Sequence, residues 1–184
     1  MQTSHQGFTL WFTGMSGAGK STLSELVYAE FKKRGYRVEL LDGDIVRTNL
    51  GAGLTFSKAD RDINVRRIGF VCDLLSRNGA IAISAAISPY RNVREECREM
   101  AQKSDTPFIE VYCRASLDAL VARDVKGLYK RALAGEIANF TGVSDPYEAP
   151  ENPEVLIESD REDVDVSLQK VFRYLEERGL MEKA

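Results

Sequence analysis

Histidine is almost missing from this chain: His5 is the only one in 184 residues, alongside one tryptophan, three cysteines and five prolines. It precedes the first strand-like run, where chains are poorly tied down, so histidine acid–base chemistry is excluded and carboxylates or phosphate positioning must serve. Cys72, Cys97 and Cys113 are odd in number, far apart and set in apolar patterns. With no C-x-x-C pair they read as reduced core residues, which leaves neither a disulfide framework nor a zinc site. No apolar run approaches the roughly 18 residues of a membrane span, and the polar start Met1-Gln2-Thr3-Ser4-His5-Gln6 has no secretory apolar segment. No membrane partner and a cytoplasmic location are therefore expected. A basic excess is absent too: 25 Lys and Arg against 28 Asp and Glu give a net charge of -3. That disfavours nucleic acid and favours a small-molecule partner. Repeats, low-complexity tracts, interdomain linkers and an N-K-x-D guanine-selecting motif are all lacking. At 43% hydrophobic content, one domain over residues 1–184 is expected.

What is present is glycine in one telling place. Gly14-Met15-Ser16-Gly17-Ala18-Gly19-Lys20-Ser21, followed by Thr22, comes straight after the apolar run Phe8–Thr13. It fits G-x-x-x-x-G-K-[ST] in the strand-then-helix setting that the motif requires. The glycines let the backbone turn successive N–H groups toward one point, and a helix start adds its positive dipole end. Residues 14–22 thus form a candidate ATP site in which Lys20 reaches the β- and γ-phosphates and the Ser21 hydroxyl ligates Mg²⁺. The motif does not name the phosphoryl acceptor.

Downstream, Leu23, Leu26, Val27 and Phe31 give a buried helical stripe, and Tyr36–Leu41 a second strand. Asp42-Gly43-Asp44 at its end reads either as a solvated turn or as carboxylates at the ligand-binding mouth of an open α/β sheet. Ser57 is a candidate N-cap for a helix to about Asn78, where Gly79 stops it. On that helix Arg61, Asn64 and Arg67 share a polar face, either solvated or anion-holding. Ala80–Ile87 reads as a central parallel strand that delivers Ser88 to the same rim. The next helix turns Val93, Cys97, Met100 and Ala101 inward and leaves Arg94 and Arg98 outside. Strands at Pro107–Cys113 and Glu154–Glu158 and a closing helix with Val164, Leu168, Val171, Phe172 and Leu175 inward complete the plan. Between about 124 and 150 the apolar period weakens while Gly, Lys, Arg and Tyr collect, as in a mobile lid that excludes water. The expected fold is α/β: a three-layer P-loop kinase plan with a five-stranded parallel sheet, helices on both faces and a lid.

Several blocks together resemble the adenylylsulfate kinase family over nearly the whole chain. They are Leu41-Asp-Gly-Asp-Ile-Val-Arg47, Phe56 through Gly69, Ile87-Ser-Pro-Tyr-Arg91, Arg123 through Lys130, and Asn139-Phe-Thr-Gly142 followed by Pro146 through Pro150. The resemblance implies phosphoryl transfer from Mg-ATP to the 3′-hydroxyl of adenosine 5′-phosphosulfate (APS). It implies that Phe56 and Phe140 stack on the acceptor's adenine, that Arg47, Arg61 and Asn64 hold its phosphosulfate or ribose, and that Ile87, Ser88, Lys126 and Asn139 line the same site. Lys20, Asp44 and Ser88 become the candidate catalytic residues, with Asp44 orienting the 3′-hydroxyl or the hydrated Mg²⁺ beside Ser21, and Asp42 supporting it. Ser88 matches a position described in the family as a phosphoserine, although direct in-line transfer needs only aligned nucleotides. A homodimer, and an ATP sulfurylase as fused neighbour or working partner, are implied in the same way. Another small-molecule P-loop kinase, acting on a nucleoside monophosphate or sugar acid, and a nucleotide-dependent regulatory module are the rival readings.

Overall fold

The computed structural model describes residues 5–124 and 126–183, with Asp44 described by its backbone alone. Met1–Ser4, on which part of the reading of the polar start rests, Val125 and Ala184 lie outside the described residues. Five strands, β1 (Phe8–Thr13), β2 (Val38–Asp42), β3 (Ile81–Ala85), β4 (Phe108–Arg114) and β5 (Val155–Glu158), pair in parallel in the order β2-β3-β1-β4-β5. The helices are α1 (Lys20–Lys33), α2 (Gly43–Asn49), α3 (Lys58–Ser76), α4 (Arg91–Lys103), α5 (Leu117–Arg123), α6 (Leu128–Leu133) and α7 (Val164–Glu177).

β1 and β3 are buried at every position, which is what continuous apolar runs produce when helices cover both faces of a sheet. Alternation along β1 sends Phe8, Leu10 and Phe12 to one face, where they pack with Leu23, Val27 and Phe31 of α1 and Val171 and Leu175 of α7. Trp11 goes to the other face, against Val65, Ile68 and Cys72 of α3 and Val93 and Cys97 of α4. Ser57 caps α3 by accepting from the Asp60 N–H at 3.2 Å. Beyond the end of α3, Gly79 sits at φ 78°, where glycine is unstrained.

Four expectations about faces fail. Leu26 is 41% exposed because α1 is covered only along its Leu23–Val27–Phe31 stripe, and Val164 is exposed at the free start of α7. Arg94 and Arg98, both expected outside, have side chains only 3% and 16% exposed, because Glu110 on β4 and Glu154 face them across the helix–sheet seam. Among the described residues no helix is long and apolar enough to cross a membrane.

The parallel arrangement brings every strand's C-terminal end to one edge. The loop after β1, Asp42 at the end of β2 and Ile87–Ser88 after β3 therefore meet at the sheet's mouth. Segment 124–150 contributes α6 and a tight turn bridged between Thr141 and Asp145. Tyr129 and Phe140 from this segment pack on the core.

Candidate active site

The loop after β1 is built around backbone that only glycine accepts. Gly14 has φ 146°, and a Cβ there would lie 2.3 Å from the Cys113 carbonyl oxygen of β4; Gly17 and Gly19 have φ 75° and 91°. α1 starts at Lys20 with no side-chain cap, so its first N–H groups point into the loop's concavity, a ready anion cradle. Lys20 Nζ donates to the Gly14 and Met15 carbonyls, at 2.8 Å each, which folds the ammonium over the loop. Ser21 Oγ donates to Asp42 Oδ2 at 3.0 Å.

A cleft of about 520 Å³ opens over this loop. Ser16, Gly17, Gly19, Lys20, Ser21 and Thr22 line it. Gly14, Met15 and Ala18 do not: Gly14 abuts β4, Ala18 belongs to the core, and Met15 packs on Gly142, where a Cβ would come within 2.5 Å of its Sδ. Asp42 stands beside the loop, and the rest of the cleft is lined by Arg47, Phe56, Arg61, Asn64, Ile87, Ser88, Lys126, Asn139 and Phe140. Thus every expected acceptor residue gathers there except Asp44, whose side chain lies outside the described residues. Arg67, expected on the same face as Arg61, instead turns to the Leu50 carbonyl at 2.6 Å.

The wall is held by guanidinium groups. Arg47 lies over the Phe56 ring at 3.8 Å from its centroid and donates to the Thr55 carbonyl at 3.0 Å. Arg61 donates to the Phe56 carbonyl and to Thr141 Oγ1, both at 2.9 Å, and to the Asn139 carbonyl, so it ties α3 to segment 124–150. Burial pulls its pKa down and Asp145, 3.9 Å away, opposes that, so it stays a cation. Phe140 meets the edge of Tyr129 at 5.0 Å, and Tyr129 OH donates to the Ser16 carbonyl at 2.8 Å, joining the two walls. Asn64 Oδ1 is buried without a hydrogen-bond partner. Ser88 is buried in a left-handed conformation, φ 41°; its Oγ accepts from Trp11 Nε1 at 3.1 Å and donates to the Ala86 carbonyl at 3.3 Å.

Sequence reasoning missed the Ser21–Asp42 contact and the part played by Tyr129 in the cleft. The strand-end position of Asp42 was a usable signal for the first; Tyr129 carried none beyond its place in a family block. The cysteines stay out of the chemistry: all three are buried and free, and burial pushes the Cys97 and Cys113 thiols up to about 12.

A sequence profile described as Adenylylsulphate kinase matches residues 6–158. An adenylyl-sulfate kinase of Picosynechococcus sp. is 55% identical over 175 residues, covering 95% of this chain and 97% of its own. A probable bifunctional SAT/APS kinase of Sorangium cellulosum is 56% identical over 174 residues, covering 94% of this chain, which spans only 29% of that longer protein. Among solved structures, the Mycobacterium tuberculosis APS kinase CysC in complex with AMPPNP and APS superposes with a TM-score of 0.89 at 40% identity, covering 94% of this chain and 99% of its own. With a phosphate loop facing an arginine- and phenylalanine-lined wall, and with these matches over nearly its full length, the chain belongs to the adenylylsulphate kinase family.

Proposed function

We propose that the chain transfers the γ-phosphoryl group of ATP to the 3′-hydroxyl of APS, giving 3′-phosphoadenosine 5′-phosphosulfate and ADP. One observation carries the reading: Lys20 and Ser21 on one side, and Arg47, Phe56, Arg61 and Phe140 on the other, line a single cleft. The cleft thus offers two kinds of surface, backbone amides suited to one nucleotide's phosphates and flat rings with cations suited to a second nucleotide. Adenine gains contact area from aromatic faces, and guanidinium forks match phosphate and sulfate oxygens.

In this reading Lys20 leaves the Gly14 and Met15 carbonyls to meet the β- and γ-phosphates. The loop amides and this ammonium then offset the charge spread over the equatorial oxygens of a loose transition state. Asp44 orients the 3′-hydroxyl and takes its proton late, since a loose transition state asks little of the nucleophile. The Ser21 hydroxyl and the Asp42 carboxylate, 3.0 Å apart, are the hard oxygen donors that Mg²⁺ takes, so these two residues fit a nucleotide-bound Mg²⁺. When bound, the ion neutralises phosphate charge. The burial of Ser88 under Trp11 supports direct transfer with Ser88 as part of the wall. Residues 124–150 act as the lid of a single catalytic domain, supported by the contacts of Arg61 and Tyr129 across the cleft. A homodimer is supported by Ile63, Phe70 and Leu74, exposed on one face of α3. An ATP sulfurylase, fused or separate, is the partner that supplies the acceptor.

Release of ADP is followed with APS, AMP and gluconate as acceptors. Turnover with micromolar APS alone is the expected result. Turnover with AMP or gluconate but not APS would overturn the reading.

A further inference from the structure

The Arg94 guanidinium lies 3% exposed beneath the cleft and is absent from the residues that line it. Its donors go to three separate parts of the chain, each at 2.7 Å: Nε to Glu110 Oε1 on β4, Nη1 to the Ser88 carbonyl, and Nη2 to the Glu148 carbonyl. A buried ion pair alone is weak evidence for stability, because desolvation cancels much of the attraction. The other two bonds are more specific. Ser88 is a non-glycine residue in the left-handed region, a conformation that persists only when its surroundings over-determine it. Arg94 grips its carbonyl while Trp11 grips its hydroxyl. Glu148 docks onto the same loop, its N–H donating to the Pro89 carbonyl and its carboxylate accepting from the Arg91 N–H, both at 2.8 Å.

From Glu148 the constraint runs back to the opposite wall. Tyr147 OH and Thr13 Oγ1 are 2.9 Å apart, and that hydroxyl donates to the Ile87 carbonyl at 2.8 Å. Asp145 accepts from Tyr90 OH at 2.6 Å and closes the turn from Phe140 through its N–H to the Phe140 carbonyl. Glu110 is itself fixed by Arg98, at 3.5 Å, and its N–H donates to Glu154 Oε2 at 2.7 Å. One guanidinium thus joins the Ser88 carbonyl of the rim to the Glu148 carbonyl of the segment that leads back, through Tyr147 and Asp145, to the turn that carries Phe140.

Resting on the functional reading above, we infer that Arg94 is a positioning residue for the phosphoryl acceptor: it fixes the two walls of the acceptor half of the cleft and leaves the ATP half alone. None of the three Arg94 bonds goes to residues 14–22; the network comes nearest to the phosphate loop at Thr13, whose hydroxyl meets Tyr147 and Ile87.

Wild-type transfer to APS is measured first; its absence would remove the functional reading and with it this role. Arg94→Met alone leaves the Glu110 carboxylate without its 2.7 Å partner, so Arg94→Met/Glu110→Met, which replaces the pair with apolar groups, is the decisive variant. The expected result is a KM for APS raised roughly ten-fold or more, as for loss of charged hydrogen bonds, with KM for ATP within about two-fold and a cooperative thermal transition. Arg94→Lys, which keeps the charge and loses the fork, should show the same selective defect. Unchanged KM values, an equal rise in both, or full rescue by lysine would overturn the inference. Hydrogen exchange of wild-type segment 145–151 gives a readout independent of variant folding. Added protection with ADP plus APS over ADP alone is expected, and identical protection would overturn the coupling.

Discussion

Phe56→Ala removes a ring that the Arg47 guanidinium covers at 3.8 Å and the Arg61 guanidinium approaches at 5.5 Å, the residue staying 55% exposed. A buried phenylalanine covers about 150–250 Å². Covering the open half therefore buries about 100 Å², which at about 25 cal/mol per Å² gives about 2.5 kcal/mol as an upper figure. Alanine truncation of aromatics that stack on bases costs about 1–3 kcal/mol, so KM for APS should rise roughly 5- to 150-fold. The fold should hold, because the loop is fastened through groups that the substitution leaves in place. Arg61 holds the Phe56 carbonyl, Arg47 the Thr55 carbonyl, and Asp60 the Thr55 N–H and hydroxyl. The assay is coupled ADP release with each substrate titrated in turn, beside a thermal melt. A KM for APS equal to wild type, or a parallel rise in KM for ATP, would refute the placement of the acceptor base against this ring.

Asp44→Ala should lower kcat by about 10²–10⁴ while ADP still binds, read by single-turnover kinetics and calorimetry; near-normal turnover would take Asp44 out of the mechanism. Gly142→Ala forces a side chain onto φ 89° and a Cβ against Met15 Sδ. It should cost about 1–3 kcal/mol in denaturant unfolding and raise KM for APS through Phe140. Tyr90 and Tyr129 are both pushed up to about 12, chiefly by burial and then by Asp145 and Asp124 respectively. Since their folded pKa lies above the unfolded value near 10, the stabilisation is full below pH 10 and lost as pH rises to about 12. Denaturant midpoints measured across that window should fall, and a flat profile would refute the burial of these phenols.

The order of elements and the glycine loop were legible because each is written locally. β1 reads as six apolar-rich residues bounded by turn signals, and the loop as a spacing. The acceptor wall came from family blocks, since nothing about Phe56 or Phe140 in isolation distinguishes a stacking ring from a core ring. Arg94 was misplaced because helical periodicity puts it one step off the Val93–Cys97 stripe, at the border of the buried face. Its burial is decided by Glu110, a carboxylate within the apolar strand Phe108–Arg114. That odd acid was the available signal, but which cation answers it depends on how α4 lies on the sheet. The turn of residues 140–145 was unreadable for a similar reason: it is closed by backbone bonds to the Phe140 carbonyl and by Tyr90, contacts that no local pattern encodes.

The strand order has a consequence for how the chain is made. β1 is synthesised first, yet its neighbours are β3 and β4: Phe8 lies opposite Ile81, and Thr9 opposite Phe108. During translation the glycine loop therefore has no rigid seat until β4 has left the ribosome, and loop-closure entropy must be met before these distant pairings repay it. Nascent chains that stop short of Cys113 should lack a competent nucleotide site and expose the apolar face of β1 to chaperones.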